Sequence, residues 1–383
     1  MINVLVLSHS LIPSVLLCGL SQLEYLKSIN EVDYRFSRAH LLSDEMLTWA
    51  DIVIFLRSES GFEACAAQLC QKHNIHSVYV LDDDLLNIPD YLSSAKYYNR
   101  KDTQRNIKNT MDNCNTFLTS SFVLLEKYGD QFKNAFQIHE PSLNVIDKKE
   151  PNNKIRIGFA GSIDRAQDIN EILEQALTKV LNKYQDQIEI EFMGAKPDIV
   201  DKFNLTYIPY KDSYEKYTET IQERNWDIGL APMPETSFHE CKYFNKYVEY
   251  ASFGIAGIYS NVKPYTYGIK EADNGLLVNN DTDSWYYAIC RLIEDNTLRN
   301  TISRNCLNEA KTIYSLETLS KDYLSKITTN FTKNDNKEEV KGVVKYRIKY
   351  FFVRAKNKIV EEKWRLPIWA YKKIKNALKH EEQ

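Results

Sequence analysis

Long apolar runs are missing from this chain of 383 residues: no window holds the ~18 uninterrupted apolar residues that a membrane-spanning helix requires. The opening "MINVLVLSHSLIPS" has an apolar run with no basic residues ahead of it, so it reads as a first buried strand and not as a secretion signal. Cysteine is neither dense nor patterned. The seven, at 18, 65, 70, 114, 241, 290 and 306, form no C-x-x-C pair and are odd in number. That argues against a disulfide framework or a thiol-built zinc site, and for a reducing, cytoplasmic compartment. Glycine amounts to 12 residues, and neither G-x-G-x-x-G nor G-x-x-x-x-G-K occurs, so NAD and P-loop ATPase readings lack support. A G-x-S-x-G elbow is absent too, and His73 and His76 have no third partner at metal-ligand spacing. The net charge of −3 is unevenly spread: residues 341–379 carry about +11 and the rest about −14. With an acidic body and no recognition motif, nucleic acid is not an expected partner.

What is present is ordinary globular composition, 43% hydrophobic and 26% charged, enough to bury a sizeable core. Short apolar runs at 2–8, 51–56, 77–81 and 116–120 alternate with helical patterns such as 15–28 and 62–74. The runs are continuous, which suits parallel strands covered on both faces. "IDKKEPNNK" at 146–154 is a polar break without an apolar stripe, and the alternation restarts at 155–161, 188–194, 205–209, 227–232, 257–260 and 275–278. The expected fold is α/β: two Rossmann-like domains, 1–150 and 151–330, facing a cleft, with a linker and tail over 331–383. Eight of the 12 Gly lie between 158 and 275, so the second domain is the expected ligand holder.

Two stretches carry chemistry. In "IRIGFAGSIDR" (155–165) a strand runs into Gly161 and Ser162, a turn whose free N–H groups suit phosphate, with Arg165 as a further donor. Alone, this is also what a tight strand-to-helix turn looks like. In "DIGLAPMPETSFHECKYFNKYVEYASFGIAGIYS" (227–260) a polar loop at a strand's carboxyl end leads into a helix expected from about Cys241 to Ser252. Spacings of four and three put Lys242, Lys246 and Glu249 on one face of that helix. Two cations beside a carboxylate suit a diphosphate next to a ribose; on an arbitrary helix they would be a solvated surface set. A third cluster, "LDDDLLNIP" (81–89), places Asp82, Asp83 and Asp84 at a strand end, solvated, paired or metal-bound. It contains D-x-D, so a metal site of Asp82 and Asp84 in a GT-A enzyme competes with a cleft-facing role for the same residues. His139, in "IHEPS", is a further cleft candidate that is more often structural.

Residues 227–265, followed by "NGLLVNNDTDSWYYAICRLIEDNTLR", resemble the donor half of GT-B glycosyltransferases. The resemblance is to the retaining, family 4-like group that includes bacterial capsule, O-antigen and teichoic-acid transferases. It covers about 155–325, with "PSVLLCGLSQLEYL", "ADIVIFLR" and "VYVLDDDLLNIP" matching more loosely in the first domain. It implies Glu249 on the ribose, Lys242 near the diphosphate, and Gly161 and Ser162 at the phosphate-facing turn, with Arg165 approximating a phosphate-binding arginine. The earlier motif glutamate falls at Cys241, with Glu240 one place off.

The expectation is therefore a transferase moving a sugar from a nucleoside-diphosphate sugar to an acceptor hydroxyl. Arg165, Lys242 and Lys246 serve as the charge clamp in place of a metal, no cofactor is needed, and Asp83 and Asp84 orient or deprotonate the acceptor. A catalytically silent subunit and a nucleotide-sugar epimerase of the same fold are the alternatives. In the tail, Val344, Ile348, Phe351, Phe352, Ala355 and Ile359 form a stripe flanked by Lys and Arg, with Trp364, Trp369 and Tyr371 following. Such a basic amphipathic segment suits an anionic membrane surface, through 341–379, and hence a lipid-linked glycan acceptor at the inner face of a bacterial membrane.

Overall fold

The computed structural model describes residues 1–334 and 338–343, apart from Ser10, Lys148 and Glu150. It contains two six-stranded parallel sheets. The first comprises β1 (Ile2–Ser8), β2 (Val32–Arg38), β3 (Ile52–Leu56), β4 (His76–Leu81), β5 (Thr116–Thr119) and β6 (Asn134–Gln137), in the order β2-β1-β3-β4-β5-β6. The second comprises β7 (Ile155–Gly161), β8 (Ile188–Gly194), β9 (Thr206–Ile208), β10 (Ile228–Ala231), β11 (Ala256–Ser260) and β12 (Leu276–Val278), in the order β12-β11-β10-β7-β8-β9.

Each central strand feeds two cores. Val4 and Val6 pack on one face with Leu23, Leu26, Ile52 and Ile54, while Leu5 and Leu7 pack on the other with Val53, Phe55, Ala66 and Leu69. This two-faced burial is why the strands read as unbroken apolar runs. In the second sheet the glycines mark close approach of aromatic rings. A Cβ on Gly158 would lie 1.8 Å from Cδ2 of Trp226, and one on Gly229 would lie 2.5 Å from Cε2 of Tyr250. Both rings are buried flat against backbone that must lack a side chain.

The chain passes between the sheets and returns. The outgoing segment meets the returning one where Ser142 N donates to Tyr314 O at 2.8 Å. The helix Leu316–Ile327, within the span 151–330, then packs on the first sheet, with Tyr323 and Ile327 in the core around Val4, Leu26 and Leu56. A second reach is made by the short helix Ser237–Glu240: Phe238 and Cys241 are buried in the first domain's core beside Leu81 and Leu85. Val340 and Val343 dock on that core as well, with Val340 N bound to Thr48 Oγ1 (2.9 Å) and Val343 N to Asp44 Oδ1 (2.8 Å). The stripe expected from Val344 onward lies outside the described residues.

Candidate functional site

Carboxyl ends of strands from both sheets open onto one cavity of about 880 Å³, lined from the first domain by Ser14, Arg57, Asp82, Asp83 and Glu140 and from the second by residues after β7 and β10. This is where open parallel sheets bind ligands, because strand ends leave backbone groups and loops converging there.

On the second domain's side, Gly161 and Ser162 line the wall, followed by a 3-10 turn, Ile163–Arg165, and the helix Ala166–Tyr184. The Ser162 side chain caps neither. Arg165 is anchored: Nε pairs with Asp168 at 2.8 Å and Nη2 donates to Pro232 O at 2.6 Å, tying the β7 turn to the loop after β10. Lys246 and Glu249 sit on the helix Asn245–Ser252 and both line the cavity. Glu249 Oε2 accepts from Lys246 and from the hydroxyl of Tyr217 at 2.6 Å, and Lys246 also donates to that hydroxyl at 2.8 Å.

Lys242 requires a correction. The expected helix from Cys241 is broken; the chain leaves the short helix at Glu240 and re-enters a helix only at Asn245. The cause is the pair Tyr243 and Phe244, whose rings lie 4.2 Å apart and are both buried, pulling the backbone off the helical path. Lys242 thus lies off the Lys246–Glu249 helix and reaches across the cleft, with Nζ 2.9 Å from Oδ1 of Asp83.

The three aspartates part company. Asp83 lines the cavity, bound by Lys242 and, at 3.3 Å, by Arg57. Burial alone would raise its pKa, but Lys242 and Arg57 outweigh it and hold the carboxyl well below the usual range. A carboxylate so stabilised is a poor proton acceptor, which weakens the expected role in deprotonation. Asp84 lies outside the cavity wall, bound by Lys127 (2.6 Å), Tyr128 (2.8 Å) and Asn87 (3.1 Å) inside the first domain. Asp82 pairs with Arg57, so the D-x-D pair does not converge, and no cluster fit to hold a metal ion occurs among the described residues. Cys241 is likewise outside the cavity, its thiol donating to Ser237 O at 3.2 Å.

Four residues at the site went unmarked in the sequence. Arg57 follows β3 with φ of 50°, a left-handed conformation that aims its guanidinium at Asp82 and Asp83. Asn245 opens the cavity-lining helix. His239 lines the wall with Nδ1 against Thr236 Oγ1 (2.8 Å); burial, then Arg165 and Lys242, push its pKa down to about 4, so it is a neutral imidazole. Glu140, 3% exposed, follows β6 with Cys18 Sγ 3.4 Å from Oε1. Burial, then the charge of Asp82, pushes its pKa up to about 8. Its neighbour His139 packs among Tyr243, Phe244 and Tyr314 and does not line the cavity.

No protein-family model and no curated protein matches the chain. Solved structures do. Anabaena Alr3699/HepE in complex with UDP-glucose is similar with a TM-score of 0.60 and 10% identity, over 86% of this chain and 100% of that one. The sucrose-phosphate synthase from Thermosynechococcus elongatus gives 0.57 and 12%, over 85% and 98%. A putative UDP-N-acetylglucosamine 2-epimerase from Listeria monocytogenes gives 0.56 and 11%, over 89% and 100%. At these identities the likeness is one of fold, and the two facing parallel sheets are the GT-B arrangement.

Proposed function

We propose that the chain is a glycosyltransferase that moves a sugar from a nucleoside-diphosphate sugar to an acceptor hydroxyl. The observation carrying this reading is the interdomain cavity in which Lys246 and Glu249 meet Lys242, Arg165 and the Gly161–Ser162 turn. The acceptor oxygen bonds to the anomeric carbon, the bond from that carbon to the phosphate oxygen breaks, and its electron pair leaves with the diphosphate, whose freed oxygen takes up the proton that the acceptor hydroxyl gives up. Lys242 and Lys246 receive that charge, each exchanging a carboxylate partner for phosphate oxygens, with no metal assigned a part. Glu249, oriented by Tyr217, accepts from the ribose hydroxyls. The fold shared with a UDP-glucose complex makes a uridine diphosphate sugar the first donor to try. From the sequence resemblance come the finer assignments: hexosyl transfer with retention, surface-polysaccharide synthesis, and a glycan or lipid-linked acceptor at the inner membrane face reached through the basic tail.

The test is thermal unfolding with UDP, GDP, CDP and ADP, on the wild-type chain and on Glu249→Ala. A ligand at a hundredfold excess over its dissociation constant stabilises by about 2.7 kcal/mol, a readable shift. One nucleotide raising the midpoint, with the shift lost in the variant, supports the reading. No response to any nucleotide overturns it in favour of a silent subunit. The likeness to a putative epimerase motivates one control: sugar isomerised without acceptor would make this an epimerase.

A further inference from the structure

The segment after β4 forms a shelf along the cleft. Leu85, Ile88 and Ala95 bury into the first domain's core. Asn99 Nδ2 donates to Ile88 O at 3.1 Å and Gln104 Nε2 to Tyr98 O at 2.8 Å, so residues 85–99 are pinned to that domain from both ends. The outer edge reaches across the cleft, where Ser93 Oγ donates to Asp164 Oδ2 at 3.3 Å. Ile88, Tyr91, Leu92 and Tyr98 of this shelf line the cavity. Tyr98 is half-buried, its hydroxyl shared between Glu59 and Arg57. Tyr91 is 68% exposed, and no hydrogen bond or ring contact engages its side chain among the described residues. A ring held open on a cavity wall by a pinned backbone meets a ligand without rearrangement. We propose that this shelf binds the acceptor, and that the acceptor presents an uncharged sugar ring to Tyr91; the inference rests on the transferase reading above.

Position and charge select the ligand class. Tyr91 lies near enough to Asp168 and Arg165 to feel their charges, so the shelf adjoins the turn assigned to the diphosphate, where an acceptor must sit to reach the anomeric carbon. A phosphorylated acceptor is disfavoured. Arg57 is the one cation that the first domain gives to the wall among the described residues, and it is spent on Asp82 and Asp83. Across the cleft Asp164 and Asp168 face the shelf, and Arg165 is tied to Asp168 and to Pro232 O. A wholly apolar acceptor would take these carboxylates out of water without a partner. A sugar ring matches both features, with a C–H face for the Tyr91 ring and an edge of hydroxyls. The Ser94 hydroxyl lines the same wall, and the Asp83 side chain is 25% exposed, so both can be reached by that edge. Asp83 Oδ1 holds Lys242, and it is released to an acceptor hydroxyl when phosphate oxygens take that lysine.

The test is saturation-transfer NMR on the full chain, with the nucleoside diphosphate that stabilises it present in excess. The probes are methyl glycosides of glucose, galactose, mannose and N-acetylglucosamine, and the 6-phosphate of whichever binds. At least one glycoside should bind with its ring C–H protons most strongly saturated, and its 6-phosphate should bind at least about tenfold more weakly. Tyr91→Ala should weaken the glycoside about tenfold and Tyr91→Phe by no more than about twofold, with nucleotide affinity unchanged in both. No glycoside binding, a 6-phosphate that binds equally well, or a Tyr91→Ala chain that binds as wild type overturns the subsite while the donor reading stands. Loss of nucleotide along with the glycoside in Tyr91→Ala overturns it too, moving Tyr91 to the donor. A wild-type chain binding no nucleotide overturns the donor reading and the subsite with it.

Discussion

Asp83 and Glu140 share one cavity under opposite electrostatic conditions, and their effects on stability run in opposite directions with pH. Asp83, depressed below its usual 3.8 despite burial because Lys242 and Arg57 outweigh it, adds stability that is complete above that value and is lost as pH falls. Glu140, raised from 4.5 to about 8, is the reverse: the folded state holds its proton where the unfolded chain has released it, so stability falls as pH rises through that window and levels off above it. Glu140→Gln should remove this loss. Urea melts at pH 5 and pH 9 should show the variant gaining on wild type by at most roughly 5 kcal/mol, reduced by water entering the cavity. Parallel curves would mean that Glu140 is not held neutral. Lys246 and Glu249 were legible in the sequence because helical spacing makes neighbours of them. Glu140 was not, because its character comes from burial beside Cys18 and Asp82, which are far from it in sequence.

Element by element, the central strands were legible because they are covered on both faces, and the short edge strands β9 and β12 of the second sheet were legible as well. β2 and β6 escaped notice, and both are edge strands of the first sheet. "VDYRFSR" has few fully buried positions and "NAFQ" none, so neither shows the continuous apolar run that marks a central parallel strand. The break between Glu240 and Asn245 was hidden for a related reason. Lys242, Lys246 and Glu249 keep helical spacing, but burial of Tyr243 and Phe244 decides the backbone there, and tertiary packing overrides local pattern. The second sheet yields a sharper test. Gly158→Ala would drive a methyl into Trp226 at 1.8 Å between two paired strands, where neither ring nor backbone has room to move. Overpacking of this kind costs about 3 kcal/mol, read as a shift in denaturation midpoint with an unchanged slope. A variant as stable as wild type would mean that the Trp226 ring does not lie on this strand.

At the scale of the whole molecule, chain order and spatial order diverge. The first domain is completed by residues that follow the second: Tyr323 and Ile327 fill one of its cores, and Val340 and Val343 dock on the other. The polar break at 146–154 was visible, whereas this return was not, since an amphipathic helix does not state which sheet it covers. The return sets where truncation is informative. Ending the chain after 315 strips the core around Leu23, Leu26 and Leu56 and should give no cooperative unfolding. Ending it after 334 removes the two docked valines, at roughly 3 kcal/mol by burial of two Val side chains. Ending it after 343 leaves every described contact in place, so stability and nucleotide binding should match the full chain. That last variant isolates the basic segment. If the segment holds the protein to an anionic surface, each Lys or Arg near it contributes about 1 kcal/mol, within a Debye length of about 8 Å at 0.15 M salt. The full chain should then sediment with phosphatidylglycerol-containing vesicles, less so as salt rises, and leave pure phosphatidylcholine vesicles in suspension. The chain ending at 343 should bind neither. Equal sedimentation of both chains would move the contact to the folded body and detach the tail from the acceptor's membrane.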